Sequence, residues 1–236
     1  MTELVLISCF NFHCIELALN FLESLRKLDI DKKHISFVTD IESYDKLKSL
    51  DYNVELLSDK KEFKFSFEFD SDDFKALSYL RYKIISVMLK KYSYVWYFDV
   101  DTVVVNNVIK YFESLPKDFD VCFQMDMDSY CTGCILLKST PKVRAFINNF
   151  YTNKNIKLND QVWMHRCFVL KQHFDKILKF VELNKFSFIN GDIYFNNALN
   201  EDFKKSIEPI YFIHANYMVG NETKIKALKD KGLWFI

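Results

Sequence analysis

SYVWYFDVDTVVVNN, residues 93–107, drives an apolar run straight into two carboxylates and resumes it at once. Charge in such a setting is costly unless something pairs with it. Tyr94 to Phe98 read as a buried strand. Spaced by two on an extended chain, Asp99 and Asp101 would share one face, with Val100 turned into the protein. Two carboxylates on one face repel each other unless a cation sits beside them. A hard divalent ion, Mn²⁺ or Mg²⁺, is the natural partner. A pair of solvated loop aspartates is the plain alternative, and the flanking apolar residues leave it little solvent.

The surrounding sequence says what kind of strand this is. Upstream, ELVLISCF (3–10), HISFVTD (34–40) and YNVELLS (52–58) read as strands, with CIELALNFLESLRKL (14–28) and ESYDKLKSL (42–50) as helices between them. That alternation predicts a parallel sheet, with ligands bound beyond the carboxyl ends of its strands. DDFKALSYLRYKIISVMLKKY (72–92) is the strongest helical pattern, with Leu77, Leu80, Ile84 and Val87 or Met88 along one face. It feeds the strand that ends at Asp99. DVCFQMD (120–126) and CTGCILLKST (131–140) read as further strands, and VRAFINNFY (143–151) and QVWMHRCFVLKQHF (161–174) as helices. The tail from Ile207 reads as strand, loop and helix. EFKFSFEFD (62–70) alternates Phe63, Phe65, Phe67 and Phe69 with polar residues, the pattern of a half-buried extended segment rather than an aromatic platform. No repeat, low-complexity tract or linker interrupts the 236 residues, so one domain is expected.

Composition excludes several functions. Half the residues are hydrophobic and 17% aromatic, ample for a packed core and against disorder. Lys plus Arg equals Asp plus Glu at 32 each, so no basic surface argues for nucleic acid as a partner. Only four glycines occur, the first at Gly133, so neither a dinucleotide fingerprint nor a Walker loop can be built. Phosphate would have to be met by metal, lysine or helix termini. MTELVLISCF lacks the basic start and long apolar stretch of a secretory leader, and no run reaches membrane-spanning length. A soluble, cytoplasmic protein with reduced cysteines is therefore expected.

The two-carboxylate layout serves two chemistries. FDVDTV satisfies the D-x-D-x-[TV] opening motif of haloacid-dehalogenase-type phosphatases, in which Asp99 would be the nucleophile, and NGDIYFN loosely imitates their later acidic motif. That motif opens its domain, however, and here 98 residues precede it. The second chemistry is the D-x-D site of nucleotide-sugar glycosyltransferases, which follows the central strand of an α/β nucleotide-binding half. RYKIISVMLKKYSYVWYFDVDTVVVNN, CTGCILLKST, NDQVWMHR and IHANYMVGNETKIKALKDKGLW together resemble the nucleotide-diphospho-sugar transferase family that includes plant α-xylosyl- and α-galactosyltransferases. The resemblance spans roughly residues 77–234. It implies a GT-A, Rossmann-like α/β fold: a mainly parallel central sheet flanked by helices, with a small antiparallel acceptor-side extension. Residues from about 1 to 105 would form the nucleotide half, and those from about 106 to 236 the acceptor half. A chain with this fold that has lost catalysis and only binds a sugar nucleotide is a third reading.

The resemblance also implies roles. Asp101 would ligate Mn²⁺ or Mg²⁺ with His214, and Asp99 would reach the ribose or bridge through water. Lys224 would pair with the diphosphate of a UDP-sugar, and Gly220 would let its loop approach closely. Arg81, in competition with Lys83, would face the nucleotide or its phosphate. Cys9, Phe10, Asn11 and Asp40 would line the base. Asp160 would hold donor-sugar hydroxyls and Gln161 would sit near the anomeric carbon, although Asn159 or Asp160 also makes a good helix cap. Gln124, Asp126, Asp128, Thr132 and Gly133 would meet the hydroxyl of a carbohydrate or protein acceptor, with retention of configuration. Asp126 and Asp128 repeat the D-x-D spacing, but their setting is less buried. Cys131-Thr-Gly-Cys134 is a lone C-x-x-C without the second pair that zinc needs; it reads as a structural tight turn into ILLKST.

Overall fold

In the computed structural model the described residues are 3–57, 71–126, 129–155, 157–169, 178–196 and 206–236. The Phe63–Phe69 segment and Asp128 lie outside them. A seven-stranded sheet in the order β3-β2-β1-β4-β7-β6-β8 organises the chain. It comprises β1 (Leu4–Phe10), β2 (His34–Val38), β3 (Val54–Leu56), β4 (Tyr94–Phe98), β6 (Val121–Asp126), β7 (Ser129–Lys138) and β8 (Phe180–Glu182). β1 pairs in parallel with both β2 and β4, and β2 with β3. Only β7 runs the other way, antiparallel to β4 and β6. The carboxyl ends of β1, β2 and β4 therefore open on one edge, as the strand–helix alternation predicts.

Alternation along β4 sorts the two cores. Trp96 and Phe98 face one layer, with Leu17, Phe21 and Leu25 of α1 (Ile15–Arg26). Val95 and Tyr97 face the other, with Tyr82, Ile85 and Met88 of α3 (Asp72–Met88) and Phe146 and Phe150 of α5 (Pro141–Thr152). Of the two candidates for the last apolar position of α3, Met88 is buried and Val87 is exposed. Side-chain caps start α3 and α5: Ser71 accepts from Phe74 N, and Thr140, with Pro141 at the first helical position, accepts from Val143 N. α2 (Ile41–Ser49) begins at Asp40 and α4 (Val108–Ser114) at Asn107.

A second, three-stranded sheet was not legible in the apolar pattern. β5 (Thr102–Val104) pairs antiparallel with β10 (Phe212–His214), which pairs in parallel with β9 (Phe188–Ile189). The antiparallel extension is thus divided between β7 in the main sheet and β5–β10 here. α6 (Asp160–Val169), α7 (Gly191–Phe195) and α8 (Asn221–Asp230) complete the frame. No helix among the described residues is long and apolar enough to cross a membrane.

Candidate active site

The chain does not stay extended through Asp99-Val100-Asp101. β4 stops at Phe98, a bend follows, and β5 begins at Thr102. Val100 is buried as expected, but the shared carboxylate face comes from the bend. Thr102 Oγ1 fastens the bend by donating to Asp99 O at 2.7 Å. His214 then arrives opposite Thr102 through the β5–β10 register, and Ala215 N donates to Asp101 O at 2.8 Å. Ligand atoms of Asp99, Asp101 and His214 all lie within 4.8 Å of one another. Residues 113 positions apart in sequence, Asp101 and His214, approach to 3.2 Å between Oδ1 and Nε2.

Gly133 makes room for this convergence. A Cβ there would stand 2.5 Å from His214 Cε1 and 2.6 Å from Asp99 Oδ2. The reading of Cys131–Cys134 as a tight turn is corrected: the four residues belong to the ten-residue β7. Pairing with β6 jumps from Phe123↔Ile135 to Gln124↔Cys131, a bulge that frees the carbonyls between. Gly133 O takes Asp99 N at 2.7 Å, and Thr132 O takes Arg81 Nη1 at 2.7 Å. All six cysteines are free thiols, and Cys131 Sγ lies 3.6 Å from His214 Nδ1.

Charge is balanced within the site. Lys224, in the first turn of α8, donates to Asp101 Oδ2 at 2.6 Å. Burial would push the Asp101 carboxyl up, but Lys224 and His214 together hold it well below the usual carboxylate range. The reciprocal effect on His214 opposes its own burial and raises the imidazole well above its ordinary value. Gly220, the residue before α8, has φ +86° and nothing within 4 Å of a built Cβ. Its glycine is needed for backbone conformation, not for closeness to other protein atoms.

Arg81 packs against Asp99. The side chain is nearly sealed: Nε donates to Ser78 O at 2.9 Å, and Nη1 lies 3.2 Å from Asp99 Oδ1. It braces Asp99, and Tyr97 Oη assists by donating to Asp99 Oδ1 at 2.8 Å. Asp160 opens α6, buried, taking Tyr82 Oη at 2.9 Å with Arg81 Nε 3.5 Å away. Gln161 lies between the strands, its Nε2 2.7 Å from Asp126 Oδ2 and its Oε1 3.4 Å from Thr132 N. Asp126 also accepts from Asn216 Nδ2 at 3.1 Å and bonds the side chain of Tyr217, a residue with φ +62°. Gln124 is fully buried against His214, so its side chain is turned away from any acceptor approaching from solvent.

The base-side residues are more local. Asp40 caps α2 through Ser43 N at 2.8 Å and accepts from Phe12 N at 2.9 Å. Phe10 has its ring in the core beside α1, and Asn11 is buried. Burial pushes the Cys9 thiol up to about 12. Phe12 is the exposed aromatic of this loop. Tyr97 was findable from sequence, two residues before Asp99 on the same strand face; Asn216 and Tyr217 had only proximity to His214 to mark them.

A family model described as nucleotide-diphospho-sugar transferase matches residues 31–228. The chain belongs to that family. The transferase shares its fold with the galactosyltransferase LgtC solved with donor and acceptor sugar analogs (12% identity, TM-score 0.59, 97% of this chain and 94% of that one). GlyE of Streptococcus pneumoniae TIGR4, a glycosyltransferase, aligns at 13% identity with TM-score 0.58, covering 100% of the transferase and 65% of the GlyE chain. A glycosyltransferase involved in glycosylation of the major capsid of PBCV-1 aligns at 14% identity and TM-score 0.56, over 96% of this chain and 99% of that one. No curated protein matches the sequence. Family membership makes the transferase a glycosyltransferase enzyme with a nucleotide-sugar donor, and it sets aside the phosphatase reading.

Proposed function

We propose that the transferase moves a sugar from a UDP-sugar to a hydroxyl of a carbohydrate or protein acceptor, with Mn²⁺ or Mg²⁺ held by Asp99, Asp101 and His214. The observation that carries this reading is their convergence within 4.8 Å. Two carboxylates and an imidazole form a donor set that suits Mn²⁺, with Mg²⁺ also admissible. The space a Cβ at Gly133 would fill is part of the same cradle. Bound there, the ion would stabilise the charge growing on the departing diphosphate, an effect of several kcal/mol.

The chain's own groups supply the rest of the proposal. Lys224 stands 2.6 Å from Asp101, placed to exchange that carboxylate for a diphosphate oxygen, and the first-turn N–H groups of α8 favour an anion beside it. Cys9, Asn11 and Asp40, at the ends of β1 and β2, shape the base side of the nucleotide half. Asp160 and Gln161 meet the donor sugar, and Asp126, Thr132 and Gly133 border the acceptor. Retention of configuration, which the family resemblance implies, completes the proposal. Reduced thiols at all six cysteines fit a cytoplasmic setting.

Incubation with UDP-sugars, with Mn²⁺ and then with EDTA, tests the activity. Metal-dependent release of UDP, by transfer or slow hydrolysis, is expected. Nucleotide binding without turnover would favour the inactive binding module. Silence with UDP- and GDP-sugars alike would sink the proposal.

A further inference from the structure

His214 can offer a lone pair to a cation from only one ring nitrogen, and the bond made by the other decides which. That other bond is unusually well defined. Gln124 sits fully buried on β6, two residues after Cys122 and on the strand face whose layer includes Phe188 and Phe212. Its Nε2 donates to Phe188 O at 3.3 Å. Reversing the amide would set two acceptors against each other, so the atom 3.0 Å from His214 Nδ1 is Oε1. A carboxamide oxygen only accepts, and Nδ1 therefore carries the hydrogen. Cys131 Sγ, 3.6 Å from the same nitrogen, is left as a weak second acceptor. Nε2 is then the atom that meets Asp101, a carboxylate to which it donates and beside which a cation would take the place of that hydrogen. The anchor and the ring also share one frame: Phe188 on β9 lies opposite Phe212 on β10, two residues before His214. The Phe212 ring meets the imidazole edge-on, with centroids 5.9 Å apart.

We propose that Gln124 is a positioning residue: it fixes the tautomer and rotation of His214 so that Nε2 presents its lone pair to a divalent cation. This rests on the metal site proposed above. Outer partners of metal-ligating histidines commonly change metal affinity by about 10–100-fold when removed, and that range is expected here.

Two measurements on folded protein test it. In ¹⁵N-resolved NMR of the Mg²⁺-loaded protein, wild type should show His214 with its hydrogen on Nδ1, and Gln124→Met should lose that preference. Gln124→Glu, which keeps an oxygen toward Nδ1, should retain it and remains informative should the Met variant not fold. In Mn²⁺ titrations followed by electron paramagnetic resonance, Gln124→Met should bind about 10–100-fold more weakly than wild type, with Gln124→Glu less affected. A hydrogen on Nε2 in Mg²⁺-loaded wild type, or equal Mn²⁺ affinity in the Met variant, would overturn the inference. Failure of wild type itself to bind Mn²⁺ would overturn the metal reading instead, with the Nδ1–H resonance of metal-free wild type, expected to shift in Gln124→Met, still deciding what Gln124 does to the ring.

Discussion

The edge formed by the ends of β1, β2 and β4 has two differently built sides. On the base side, Asp40 meets Ser43 three residues away and Phe12 across one loop. On the metal side, Asp101 meets Lys224 across 123 residues and His214 meets Gln124 across 90. The first side is held by a helix cap and apolar packing. The second concentrates charge around buried His214 and half-buried Asp99, Asp101 and Lys224. Such a network is stable only while every member is present, because removing one partner leaves another buried and unpaired. Damage on the metal side should therefore spread, and damage on the base side should stay local.

The largest effect should follow Asp101→Asn. Losing several kcal/mol of leaving-group stabilisation should lower transfer at least about a thousandfold, measured as UDP release with saturating Mn²⁺. Wild-type rates in that variant would erase the distinction between the two sides. Gly133→Ala comes next: its methyl would press on both His214 and Asp99, and overpacking of this kind costs about 1–3 kcal/mol. Urea unfolding should register that loss together with weakened Mn²⁺ binding, whereas an unaltered metal affinity would show that the cradle has slack.

Away from the metal side, at the amino end of β2 and at the Asp40 cap, effects should be smaller and separable. His34 is buried, and its Nε2 has no hydrogen-bond partner among the described residues. Burial lowers its pKa from 6.5 to about 3. Because the folded value lies below the unfolded one, its contribution is intact above pH 6.5 and is lost as pH falls toward 3. The slope is at most about 1.4 kcal/mol per pH unit. Wild type should thus lose about 2 kcal/mol from this group between pH 6.5 and 5, a loss absent in His34→Leu when unfolding is compared at the two pH values. Asp40→Ala should cost about 1 kcal/mol of stability as a lost cap. Its Mn²⁺ affinity should match wild type, and a large drop would join the two sides into one network.

The same contrast marks what the sequence disclosed. β1, β2 and β4 are apolar runs with helical patterns between them, so their parallel order and the position of Asp99 and Asp101 were readable. His214 and Lys224 were legible through resemblance, since nothing in local periodicity connects them to Asp101. Gln124 was read as an acceptor contact from its place after the D-x-D strand, and the groups it meets, Phe188 O and His214, lie 64 and 90 positions away. Cys131–Cys134 looked like a turn because glycine is common there, while the physical demand at Gly133 came from His214, 81 positions later. β5, β9 and β10 have two or three residues each, too few to show a period. Arg81 was placed on the correct helix, but its partners, Thr132 O and Asp99, emerge only when β7 lies beside β4.

The most direct test of the account is calorimetric titration of UDP into wild type and Asp101→Asn, each with Mn²⁺ and then with EDTA. The account predicts binding by wild type that requires Mn²⁺ and collapses in EDTA, with little binding by the variant under either condition. UDP binding of equal strength in Mn²⁺ and EDTA, or unchanged by Asp101→Asn, would contradict it.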